Sequence, residues 1–185
     1  KSSAASDVYK RQEQEQVDCQ RIRQFLEEEA NLLLRDNVKM HFTASAWVLN
    51  PSKNKVLMLY HNIYQSWSWS GGHADGEGDL LSVAMKEVKE ESGLVSLKQL
   101  SDSPISIEIL GVQPHYKKQK YVSAHLHLNY TFLLHNTKEE KLKICPEENS
   151  KVGWLSPDEA VCSSTEAWMK PIYKKLNQKM RKYLG

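Results

Sequence analysis

Glu87, Glu90 and Glu91 follow one another at the i, i+3 and i+4 spacing. At ~100° per residue, a helix through them gathers all three carboxylates within an arc of about 100°. Like charges that close destabilise a helix, and an unassisted sequence would relieve them with lysines at i+4 rather than concentrate them. A hard divalent cation is the natural counter-ion. Mg2+, or Mn2+ in its place, takes oxygen ligands, binds through one or two carboxylates plus phosphate oxygens, and keeps several waters. Just upstream, the pair Gly71-Gly72 lets backbone come close to whatever the carboxylates hold. The plainer reading is a solvated helix face, the commoner fate of a charge run.

Positioning such a cluster requires a helix docked by its other side. Leu81, Ala84, Met85 and Val88 supply an i, i+3, i+4, i+7 stripe, so the spacing predicts a helix over Asp79 to Ser92 that stops at Gly93, a residue suited to a left-handed cap. Ser66 to Ser70 leads into the glycine pair, giving the order strand, glycine loop, helix. Upstream, His41 to Leu49 and Lys55 to Tyr60 flank the turn formers Asn50 to Asn54 and read as a hairpin. Ile22, Phe25, Leu26 and Leu33 recur at helical spacing between Gln16 and Leu34.

After the glutamates, Ile105, Ile107 and Ile109, and then Leu126, Leu128, Tyr130 and Phe132, alternate with polar residues as half-buried strands do. A loop carrying Lys117, Lys118 and Lys120 separates them. Val152 to Leu155 reads as a short strand and Pro157 to Ala160 as a turn or helix. Trp168, Ile172, Leu176 and Met180 fall every four residues in a closing helix over Thr165 to Leu184. With no internal repeat, this is an α/β (α+β) chain with a mixed β-sheet sandwiched between helices. We divide it into residues 1–12, whose string KSSAASDVYKRQ is similar to translated adapter sequence and is set aside as non-native, residues 13–40 as helix and linker, and residues 41–185 as the working domain.

Composition narrows the partner. A chain of 185 residues, 40% hydrophobic and 26% charged, can bury one core. Its net charge of +2 provides no large basic field, so a small molecule rather than nucleic acid is the expected partner. The apolar runs fall short of the roughly 20 residues a membrane helix needs, and no signal-peptide pattern opens the chain. Cys19, Cys145 and Cys162 have neither disulfide nor zinc spacing, which fits a reducing cytoplasm. No Ser stands in a G-x-S-x-G elbow, and no Cys has a local His partner. The oligomeric state is left open, a homodimer included.

The segment from Gly72 to Leu94 resembles the Nudix box, G-x5-E-x7-R-E-U-x-E-E-x-G-U with U aliphatic, and aligns Gly72, Glu87, Val88, Glu90, Glu91, Gly93 and Leu94 in register. Two departures stand out: Gly78 fills the first glutamate position, with Glu77 one residue early, and Lys86 fills that of the arginine. Lysine offers a point charge where arginine offers a planar fork, so carboxylate orientation should be looser. Ser70 replaces the proline usual before the glycines. HFTASAWVLN, SWSWSGGHADGE, HLHLN and ENS-x-V-x-W look like a bacterial subgroup of Nudix hydrolases (MutT-like), in which Glu77 would be ordinary.

That resemblance implies a Nudix fold and a hydrolase acting on a diphosphate linkage of a nucleotide-like substrate through metal-activated water. It places Glu90 and Glu91 on the cation, Glu87 as a further ligand or the base, a Gly71 or Gly72 carbonyl in the shell, Lys86 in support, and Glu148, with Glu147 as fallback, as a later-loop carboxylate. Alternatives are a non-catalytic binding module, disfavoured by the retained glutamates, and a diphosphate isomerase, disfavoured because no cysteine lies between residues 20 and 144. His73, His125 and His127 are candidate substrate contacts, or a polar sheet face. Trp67, Trp69 and Trp47 are candidate base-stacking groups, or core, and the lysines of residues 117–120 are phosphate contacts, or solvated.

Overall fold

The architecture follows from β1 (Met40–Leu49), whose residues are buried along the whole strand because both faces carry side chains that a core or a site can use. Its even positions, Phe42, Ala44, Ala46 and Val48, and its odd positions, His41, Thr43, Ser45 and Trp47, point to opposite faces. This computed structural model describes residues 2–117 and 119–185.

Along one edge, β1 runs parallel to β9 (His125–Asn136) in the register His41↔His127 and Ala44↔Tyr130. Along the other it pairs antiparallel with β2 (Val56–His61) at Leu49↔Val56 and with β4 (Ser70–His73) at Ala44↔Gly72. Beyond β2 lie β3 (Ser66–Ser68) and β10 (Asn149–Leu155); beyond β9 lie β5 (Leu97–Gln99) and β6 (Ser106–Val112). A separate hairpin, β7 (His115–Lys117) with β8 (Lys120–Val122), occupies the expected lysine loop.

The expected mixed sheet between helices is observed. α2 (Leu80–Ser92) covers one face, where Val83, Ala84 and Val88 meet Ala44, Ala46, Val48, Phe132 and Leu134. Opposite, α3 (Pro157–Ser163) and α4 (Lys170–Leu184) cover Trp47, Leu49, Met58 and Leu133 with Ala160, Ile172, Tyr173, Leu176 and Met180. Trp168 is 59% exposed and precedes α4, so the closing stripe begins at Ile172. β9 is an interior strand rather than a half-buried one: β1 flanks it on one side and β5 and β6 on the other, and Leu133 and Leu134 are fully buried.

The first helix, α1, spans Ser2–Glu28 and so runs through much of the segment set aside as 1–12. No Gly or Pro interrupts those residues. It holds Leu26 but stops short of Leu33, because Asn31 is left-handed (φ 58°) and the Leu32 carbonyl accepts from Phe42 N at 2.7 Å. α1 closes the β6 edge. Glu15 accepts from Ile107 N and Asp18 from Ile109 N, both at 3.1 Å, so strand N–H groups that would otherwise be open are occupied. Burial would raise the Glu15 carboxyl, but Lys175 and Lys179 outweigh it and hold it below its usual range.

Candidate active site

The roll of α2 about its axis decides where its glutamates point. Asp79 caps the first turn by accepting from Leu81 N and Ser82 N at 3.1 and 3.2 Å, and Gly93 ends the helix in a left-handed conformation at φ 76°. With Val83, Ala84 and Val88 on the sheet, Glu87 and Glu91 turn toward β4. Glu91 is only 6% exposed, and its Oε2 accepts from Ser70 Oγ at 2.5 Å and Gly71 N at 3.2 Å. Asn149, at the start of β10, holds the same turn by donating to the Glu91 carbonyl at 3.0 Å.

Glu87 lies directly on Gly72. A Cβ at Gly72 would stand 2.3 Å from Glu87 Cδ and 2.5 Å from its Oε1, so glycine alone leaves this carboxylate where it lies. The glycine pair therefore belongs to a strand, not to the expected loop, and its use is close approach. Gly72→Ala should displace the Glu87 side chain and cost activity much more than stability: at least about 10-fold in kcat/KM, with Tm lowered by only a few degrees. Parallel melting and turnover assays check this.

Burial raises both carboxyls. Glu91 is pushed up to about 8, by desolvation first and then by the charges of Glu87 and Glu148, against the Ser70 and Gly71 hydrogen bonds. Glu87 rises by desolvation, with Glu90, Glu148 and Asp75 adding and Lys86 opposing. Glu148 thus shares their field; it sits ahead of the β10 bulge, paired with Lys117 at 3.6 Å. Glu90 is more exposed than the other two, with Lys86 at 3.9 Å, and reaches Glu87 through its charge. The donors around Gly72 are all oxygens, a set that suits a hard cation.

The remaining candidates divide. Trp47 is fully buried and stacked on Tyr173 at 5.3 Å. Trp67 and Trp69 are half-buried, edge-on to Tyr60 and Tyr173 at 5.8 and 5.6 Å. Lys120 is exposed at the hairpin, and Lys118 lies outside the described residues.

His73, paired at Thr43 beside β1, and His127, paired with His41, point to the face of the sheet away from α2. They meet His41 and His125 there, with ring centroids 4.9–5.1 Å apart for five of their pairings. Desolvation first, then Arg35 and His41, takes His73 down to about 3, and desolvation followed by the neighbouring imidazoles takes His127 to about 2. Spacing alone does not single out His41, because the β1–β9 register that brings it opposite His127 joins strands more than eighty residues apart. Among the described residues no helix is long and apolar enough to cross a membrane.

No curated protein sequence matches the chain significantly. Among solved structures, it is similar to a C. elegans Ap4A hydrolase in a binary complex (TM-score 0.58, 18% identity, 76% of this chain and 98% of that one). RenU, a Nudix hydrolase from M. smegmatis, superposes with a TM-score of 0.55 at 12% identity over 77% and 86% of the two chains. The E. coli dihydroneopterin triphosphate pyrophosphohydrolase does so at 0.52 and 17% over 73% and 92%. At these identities the likeness is one of fold. The NUDIX domain model, however, matches the sequence itself over residues 39–176, well over half its length, and the chain therefore belongs to the Nudix family.

Proposed function

We propose that this chain is a cation-dependent hydrolase that cleaves a diphosphate linkage in a nucleotide-like substrate. The observation that carries the reading is the approach of Glu87 and Glu91 to the Gly71–Gly72 backbone, within the field of Glu148. Family membership and the names of two similar structures, an Ap4A hydrolase and a dihydroneopterin triphosphate pyrophosphohydrolase, support it.

Glu87, Glu90 and Glu91, with the Gly72 carbonyl and Glu148, are the groups that would hold Mg2+ or Mn2+. Bound there, the ion supplies Lewis-acid polarisation of diphosphate oxygens and a lowered pKa for water. The chain's own part is positional. Ser70 and Gly71 fix Glu91, Asn149 fixes the turn that carries it, and Glu87, the less confined of the two, is the group placed to take a proton. Lys86 balances Glu90 from solvent, so its role is charge compensation more than orientation.

A panel of ADP-ribose, NADH, dinucleoside polyphosphates, oxidised nucleoside triphosphates and a non-nucleotide diphosphate, each with Mg2+ or Mn2+, tests the reading through its products. At least one should be hydrolysed, and chelation should stop the reaction. Turnover unaffected by chelation, or none with any compound, would contradict it.

A further inference from the structure

Four of the chain's seven histidines, His41, His73, His125 and His127, come together from three adjacent strands on the sheet face away from α2. One ligand nitrogen from each of His41, His73 and His127 lies within 4.8 Å of the others. Among the described residues this is the one group of three or more His, Cys, Asp or Glu side chains gathered so closely. We infer that these imidazoles bind one divalent transition-metal ion of borderline softness, of which Zn2+ is the simplest case, with His41, His73 and His127 as ligands and His125 as the fourth.

Hydrogen bonding already selects the free nitrogen on two rings. His41 Nδ1 lies 3.1 Å from the Asn37 carbonyl and can only donate to it, which leaves the Nε2 lone pair unprotonated. That Nε2 is buried, in a residue only 5% exposed, and has no hydrogen-bond partner. His125 Nδ1 donates likewise to the Ser123 carbonyl at 2.8 Å, and its Nε2 stands 3.1 Å from His127 Nε2. A backbone carbonyl on one ring nitrogen and a metal on the other is the usual outer-shell arrangement of histidine ligands.

Size agrees as well. Zn–N bonds of about 2.0–2.1 Å in a tetrahedron separate ligand nitrogens by about 3.3–3.4 Å, so the nitrogens of His41, His73 and His127 each need to close in by roughly 1 Å or less, and His125 Nε2 already stands at that separation from His127 Nε2. Arg35, whose charge reaches His73, is held in a two-point pair by Asp75 at 2.7 and 2.5 Å, which cancels most of its repulsion toward an ion. Imidazole nitrogens suit Zn2+, whereas the carboxylates around Gly72 suit Mg2+, so the two faces of β4 select different ions. An ion on this face would tie β4, which carries the glycine pair, to β1 and β9.

The test uses chelator-stripped, tag-free full-length protein, titrated with Zn2+ against a chromophoric competitor in the presence of excess Mg2+. One Zn2+ per chain is expected. His73→Gln and His127→Gln should weaken it by at least about 10-fold, the loss that even an outer-shell partner causes, while Glu87→Gln should bind it as wild type does. Should the histidine variants fail to fold, wild type alone suffices. Zn2+ should shift the ring-proton NMR resonances of His41, His73, His125 and His127, and leave those of His61, His115 and His135 in place. Absence of tight Zn2+ binding, affinity that falls with Glu87→Gln but not with the histidine changes, or shifts confined to the other three histidines would each overturn the assignment.

Discussion

Glu91→Gln should cost on the order of 100-fold in cation-dependent kcat, the scale on which removal of one charge-stabilising group acts, while the fold survives. The amide keeps the shape, and its oxygen can still accept from Ser70 Oγ and Gly71 N. Stability should move the other way. The Glu91 carboxyl, pushed up to about 8 by burial, binds its proton more tightly folded than unfolded, where the ordinary value is 4.5. Its contribution is therefore whole below about pH 4.5 and is lost progressively as pH rises toward 8. In chelator, wild-type Tm should fall over that interval relative to Glu91→Gln. The depressed His73 and His127 act at the acid side, where stability is lost as pH falls below about 6.5, and they are common to both proteins. Melting curves between pH 5 and 8.5 check the sign. A variant that melts lower than wild type at pH 8 would show that Glu91 is not a strained acid, and one that retains its kcat would show that it is not a ligand.

Lys175→Met should be the most damaging change outside the site. The ammonium is fully buried, 2.5 Å from the equally buried Glu108 and 2.9 Å from Glu15, and thereby joins α4 to β6 and α1. Removing it leaves the buried Glu108 carboxyl group without its partner, a loss of about 3–5 kcal/mol. For a chain of this size that is roughly 10 °C in Tm. Lys175→Met with Glu108→Gln should recover much of the loss, since no buried charge is then unmatched. Thermal melts of the single and double variants decide it; a Lys175→Met melt within 2 °C of wild type would mean that the pair contributes nothing net.

Local periodicity foretold what is local. The Gly93 cap and the turn Asn50 to Asn54 each concern neighbours in sequence, and the structure keeps them; of the stripe, Ala84 and Val88 are buried with Val83, while Leu81 and Met85 are only partly so. Pairings between distant strands were not legible. Ser70 and Asn149 clamp Glu91 from 21 and 58 residues away, and Lys175 meets Glu15 across 160, distances over which no spacing rule operates. A helical wheel puts Glu90 beside Glu87 and Glu91, yet which of the three faces β4 depends on how α2 rolls on Ala44, Ala46 and Val48. The imidazole cluster shows the same limit: H-x-H on β9 is visible in the sequence, but His41 and His73 join it only through sheet register.

In the proposed function, carboxylates of α2, seated on the glycine pair, support cation-dependent cleavage of a diphosphate. Its most direct test is hydrolysis of the best panel substrate titrated with Mg2+ for wild type and Glu87→Gln, since Glu87 is the carboxylate lying on Gly72 and its amide replacement leaves the α2–sheet packing untouched. Wild-type rates should rise to saturation with Mg2+, and Glu87→Gln should remain about 100-fold or more below them at every concentration. Superimposable titrations of the two proteins would contradict the account.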